Sequence, residues 1–185
     1  MIREQTVCFS GHRPEKLPGM RDGREQALLV IKSMLYYQIR KAVADGYTDF
    51  ISGLARGVDL WAAGYVLELR RENPALRLYC VKPTASHGNN FRGSDRYALD
   101  SVLERADGLF CTAEAYSKDC YRIRNQYMVD HAARLIAVVD DYRSGTGQTI
   151  SYARKTGLEL CVIEVGEILK QAESLPTSFI IPPCP

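Results

Sequence analysis

The chain of 185 residues lacks most of the features that would mark it for an unusual setting. It has a single tryptophan and three histidines, and its six cysteines form neither a CxxC pair nor a zinc-type cluster. That argues against a disulfide framework or a structural zinc and reads the thiols as small apolar side chains kept reduced. Cys8, Cys80, Cys111 and Cys161 fall in or beside expected strands, whereas Cys120 and Cys184 are less constrained. No apolar run approaches the roughly 20 residues that span a bilayer. The opening residues, Met1 to Gln5, lack the apolar stretch of a signal peptide, so a cytoplasmic protein with no membrane role is expected. Charge of one sign is missing too: 24 basic and 22 acidic residues are mixed along the chain for a net charge of +2. Without a basic tract there is no continuous phosphate track, and nucleic acid is not the expected partner. No repeat or low-complexity segment occurs.

What is present is an ordinary apolar content of 46% with 25% charge, in a chain long enough for one well-buried domain. Strands are predicted at 6–10, 50–52, 76–81, 108–111, 135–139 and 160–165, and helices at 24–44, 58–71, 95–105, 119–133 and 149–155. Within the first helix Leu28, Ile31, Leu35, Ile39, Ala42 and Val43 make a core-facing stripe, and Asp45-Gly46 stops it. Residues 82–94 read as a long irregular segment. Strands alternating with helices at this spacing predict an α/β, Rossmann-like domain, with a mostly parallel sheet covered by helices on both faces. The domain is expected over residues 1–172. A proline-rich tail follows at 173–185, in which Phe179-Ile180-Ile181 offers an apolar anchor.

Two strand-to-helix turns share one build. Asp49-Phe50-Ile51 leads into Ser52-Gly53-Leu54-Ala55-Arg56-Gly57, and Leu135 to Asp140 leads into Ser144-Gly145-Thr146-Gly147. Glycine lets backbone N–H groups turn towards an anion, and a following helix presents its positive end. In a parallel sheet both turns open on the edge where such folds bind ligands. The first strand ends there as well, at Ser10, Gly11, His12 and Arg13, and an arginine fork suits phosphate or carboxylate. Asp59 opens the next helix, where it either caps the dipole or bonds a ribose or loop amides. Arg56 points to solvent or to a phosphate.

Cys8-Phe9-Ser10-Gly11-His12-Arg13-Pro14, the 52–59 run, and Tyr121-Arg122-Ile123-Arg124-Asn125 with Met128 and Asp130 resemble the YpsA-like branch of the SLOG superfamily. That superfamily also holds the DNA-processing protein DprA and the Lonely-guy (LOG) phosphoribohydrolases. The resemblance covers residues 7–157 and implies a Rossmann-like domain binding a nucleotide or nucleotide-derived ligand, with no settled activity to carry over. On the fourth long helix Tyr121, Asn125, Met128 and Ala132 share a face. Asn125 holds the neighbouring loop or reaches the ligand, and Arg124 extends to a phosphate or to solvent. Asp130 reads as a surface charge. Tyr116 either stacks on a base or packs in the core.

LOG hydrolases carry a PGGxGT segment followed shortly by a catalytic glutamate. Here Ser144-Gly145-Thr146-Gly147-Gln148-Thr149 keeps the small residues and hydroxyls but has no carboxylate at that place. The resulting expectation is a sensor-like binder of NAD, ADP-ribose or a nucleoside phosphate, acting on a protein partner or as a homodimer. An N-glycosidic or phosphoribosyl hydrolase is the alternative, with Asp59 or Asp140 as acid or base and His12 assisting. DprA-like single-strand DNA binding is a further one.

Overall fold

In a computed structural model, residues 1–19 and 25–174 are described, with side chains to residue 170. The start expected for the first helix at residue 24, Cys184 and the proline-rich tail from residue 175 lie outside the described residues. Six strands, β1 (Thr6–Gly11), β2 (Asp49–Ser52), β3 (Arg77–Lys82), β4 (Gly108–Cys111), β5 (Arg134–Val139) and β6 (Glu159–Glu164), form one sheet in the order β4-β3-β2-β1-β5-β6. Every neighbouring pair is parallel. The helices are α1 (Glu25–Ala44), α2 (Val58–Leu69), α3 (Gly93–Arg105), α4 (Cys120–Asp130), α5 (Gly145–Lys155) and α6 (Val165–Ser174). The expected Rossmann-like α/β architecture is the observed one.

Side-chain alternation along the strands builds two cores. Val7 and Phe9 of β1 and Ile136 and Val138 of β5 face the layer of α1, α2, α3 and α6, where Ile31, Leu35 and Ile39 are buried. Cys8, Leu135, Ala137 and Val139 face the layer of α4 and α5, against Met128, Val129, Ile150 and Ala153. Central strands covered on both faces read as continuous apolar runs, as Leu135 to Val139 of β5 do, and the buried Arg134 before them is held by Asp45 and Glu159 at 2.8 Å. Phe9 stacks on Phe50 of the neighbouring strand with ring centroids 6.0 Å apart.

Most element ends shift by one to three residues from the sequence reading, and three differences are larger in consequence. Helix α5 begins at Gly145 rather than Thr149, so the small-residue run is its first turn. Helix α6 was not anticipated as an element; it follows β6 directly, Val165 coming straight after Glu164. The expected strand thiol Cys111 packs in no core: it sits exposed on the edge strand β4, beside the exposed Leu109 and Phe110.

Candidate functional site

The chain runs outward from β1 through β2 and β3 to β4, then returns to the other side of β1 as β5. The loops after β1 and β5 therefore leave their strands in opposite directions, and a crevice opens between them at the carboxyl edge. It forms a cleft of about 360 Å³, lined by Ser10, Gly11, His12 and Arg13 after β1, Ala55 and Asp59 after β2, Arg124 and Asn125 on α4, and Ser144, Gly145 and Thr146 at α5. Sequence segments far apart in the chain thus meet at one rim.

The α5 end is built as a capped helix start. Ser144 is extended and its Oγ accepts from the Gly147 amide at 3.2 Å. The first amides of the helix, at Gly145 and Thr146, have no carbonyl a turn earlier to bond. Gly145 has open space where a Cβ would stand, so a ligand can approach that backbone. Gly147 is needed for a different reason, since a Cβ there would strike the Tyr142 backbone. Asn125 donates to Thr149 Oγ1 at 2.8 Å, and Thr149 in turn donates to the Gly145 carbonyl at 2.9 Å. The amide predicted on the apolar face of α4 ties that helix to α5.

The remaining glycines serve the chain's own packing. A Cβ on Gly11 would meet Val58, and one on Gly57 would stand 2.7 Å from the His12 carbonyl, in a backbone at φ +84 that side chains rarely adopt. A Cβ on Gly53 would collide with the Arg124 guanidinium. The cradle foreseen in this turn is therefore filled by Arg124, and its glycines make room for a side chain and for the loop after β1.

Arg124 is neither solvated nor spread on the helix surface: it is 3% exposed. Its Nη1 donates to Asp59 Oδ2 at 3.4 Å, and its Nε has no partner. Asp59, 4% exposed, also accepts from the Ala55 amide at 3.4 Å. Burial raises its carboxyl to about 6, with Arg124 opposing, and the same burial lowers the arginine. Ser52 Oγ donates to the Asp59 carbonyl at 2.9 Å and accepts from the Leu54 amide at 3.2 Å, which sets the turn that holds the carboxylate.

His12 is buried and accepts from the Asp141 amide through Nε2 at 3.4 Å, which joins the loops after β1 and β5. Burial lowers its pKa, against the pull of the Asp140 charge. Arg13 is exposed and lines the cleft, and among the described residues no carboxylate pairs with it. Arg56 does not point free to solvent or phosphate, because Glu15 and Asp95 hold it at 2.6 and 3.4 Å. Asp140 is exposed, and Asp130 accepts from the Tyr152 hydroxyl at 2.9 Å. Tyr116 is 72% exposed and so does not pack in the core. Among the described residues no group of three or more His, Cys, Asp or Glu is placed to hold a metal ion, and no helix is long and apolar enough to cross a membrane.

Sequence reasoning passed over His87. It is buried in the segment between β3 and α3, and the signal for it was the length of that segment at the ligand edge of a strand.

Four likenesses to known proteins accord with this geometry. The model of the YspA SLOG family matches residues 7–159. A UPF0398 protein of Bacillus cereus strain B4264 is 28% identical over 156 residues, which cover 83% of this chain and 84% of that one. A second UPF0398 protein, from Bacillus thuringiensis strain Al Hakam, is 27% identical over 153 residues, covering 82% and 83%. Among solved structures, DNA processing protein A from Helicobacter pylori aligns with a TM-score of 0.59 at 17% identity, over 95% of this chain and 75% of that one. At that identity the likeness is one of fold.

Proposed function

The chain belongs to the YspA SLOG family, and from that premise we propose that it is a binding module for a nucleotide or nucleotide-derived ligand, held by its phosphate at the switch-point cleft. One observation carries the reading. The uncapped amides of α5 and Arg13, which pairs with no carboxylate among the described residues, converge on a single cleft of about 360 Å³ that the buried Arg124 backs with its charge. Each favours negative charge: the helix start through its dipole and N–H groups, Arg13 through planar donors matched to phosphate oxygens. NAD, ADP-ribose and nucleoside phosphates all carry the group that this site would hold. Ligand occupancy would then be passed to a protein partner or to a second copy of the chain.

Hydrolysis would require a carboxylate free to move a proton in the cleft; Asp59 is engaged by Arg124 and the Ala55 amide, and the exposed Asp140 is not among the residues that line it. Single-stranded DNA binding is reported for the Helicobacter pylori neighbour. Both are outcomes to be separated by the test.

That test is a thermal-shift panel of NAD, ADP-ribose, AMP and cyclic nucleotides. A ligand at a hundredfold excess over Kd stabilises by about 2.7 kcal/mol, or roughly 5–10 °C for a domain of this size. At least one compound is expected to give such a rise, and Arg13→Ala to abolish it. No rise with any compound overturns the proposal. Release of free base from a nucleoside monophosphate would move the assignment to an enzyme, and salt-sensitive retention of an oligonucleotide without any small-molecule effect would move it to DNA.

A further inference from the structure

Beside the anion cleft lies a second hollow, of about 540 Å³, that the reading above leaves unused. Its size falls within the roughly 300–1,000 Å³ of ordinary small-molecule sites. One wall is the segment between β3 and α3, and Tyr116 and Tyr121 stand on the other side. The hollow opens into the cleft across Arg13, Ala55 and Tyr121, which line both.

His87 forms its polar floor. The ring Nε2 lies 3.0 Å from the Leu54 carbonyl, and a carbonyl only accepts, so this nitrogen carries the proton. Leu54 is a non-glycine residue at φ +60 and fully buried, which makes that hydrogen bond a requirement of the turn rather than an accident. Burial lowers the His87 pKa to about 4, with the Arg124, Lys82 and Arg13 charges adding to the effect and the Leu54 bond opposing it. The ring is therefore neutral and Nδ1 keeps its lone pair. No hydrogen bond to Nδ1 is formed among the described residues, and the ring lines the hollow.

Aromatic surface surrounds this acceptor. Phe91 and Tyr121 meet the His87 ring edge-on at 5.6 and 6.0 Å, and the Arg124 guanidinium lies 6.0 Å from the centroid of the Tyr121 ring. Tyr121 thus stands at the boundary between the two hollows, and the exposed Tyr116 adds a second ring at the rim.

We propose that the second hollow is a nucleoside subsite, in which a base stacks on Tyr116 and Tyr121 and donates an N–H to His87 Nδ1 while its 5′-phosphate lies in the adjoining cleft. This rests on the anion-site reading of that cleft. The ligand class it names is a 5′-nucleotide whose base presents an N–H donor, in place of any phosphorylated sugar.

Calorimetric titration of the full chain tests it, with ribose 5-phosphate, AMP, CMP, GMP, UMP and purine riboside 5′-monophosphate, whose base has no N–H donor. At least one natural nucleotide is expected to bind about tenfold or more tighter than ribose 5-phosphate, and the purine riboside compound to lose part of that gain. Tyr116→Ala is expected to weaken the nucleotide about fivefold and leave ribose 5-phosphate unchanged. His87→Gln keeps both a donor for Leu54 and an oxygen acceptor, so it retains the preference. Ribose 5-phosphate binding as tightly as every nucleotide overturns the subsite and leaves the anion site standing. If nothing binds, ribose 5-phosphate included, both fall.

Discussion

Arg124 and Asp59 show how a buried charge pair and a glycine define each other. The guanidinium reaches across from α4 into space that exists only because residue 53 has no Cβ. Removing one partner of such a pair is expected to cost about 3–5 kcal/mol, because the other charge stays buried. A double-mutant cycle follows from the geometry. Gly53→Ala alone should destabilise by about 1–3 kcal/mol through overpacking, and by less in an Arg124→Ala background, where the remaining close approach is to the Asp59 carboxylate at 2.7 Å. Equal losses in both backgrounds, read from urea unfolding, would contradict the contact. Arg13 is the opposite case, an exposed cation that pairs with no carboxylate among the described residues. Arg13→Ala should leave stability within about 0.5 kcal/mol while weakening nucleotide-induced stabilisation. Arg13 could be singled out from its place one step past a strand. The setting of Arg124 could not, because nothing in the order of residues shows that a glycine on another element receives it.

At the scale of elements, strand cores and helix stripes were legible because apolar periodicity reports burial directly. Strand β4 was read to the residue, and β2 and β5 to within one. Helix α5 was misread at its start because Gly145, Thr146 and Gly147 have low helix propensity and look like a loop. Tertiary constraints decide otherwise: Ser144 caps the turn and Gly147 fits against Tyr142. Ser144→Ala is expected to cost about 1 kcal/mol in denaturant unfolding through loss of the cap. A cost near zero would mean that the cap contributes nothing in solution. Helix α6 escaped notice for a simpler reason, since it starts at Val165 directly after the last residue of β6 and carries Gly166 in its first turn.

For the whole molecule, the strand order places a reversal between β1 and β5, and that reversal is what turns two unremarkable loops into a shared cleft. The sequence indicated a parallel sheet, but a pattern of elements does not state which strands are neighbours. Acid stability reports on the same region. The His87 pKa falls from 6.5 to about 4 on folding, so the unfolded chain binds more protons between those values and stability drops as pH falls through that window. Asp59 rises from 3.8 to about 6, so its share runs the other way, with stability dropping as pH rises between those values. His87→Gln should therefore gain stability relative to the parent as pH is lowered from 6.5 to 4, by up to about 1.4 kcal/mol per pH unit. Parallel pH profiles for the two proteins would show that His87 is not held neutral by the fold.

The most direct measurement is a backbone amide NMR titration of the full chain with AMP. Convergence at the switch point predicts that the largest shifts fall on the Gly145 and Thr146 amides and on the residues from Gly11 to Arg13, and that they vanish in Arg13→Ala. Shifts confined to the amino edge of the sheet or to the outer faces of the helices, with the first turn of α5 untouched, would contradict it.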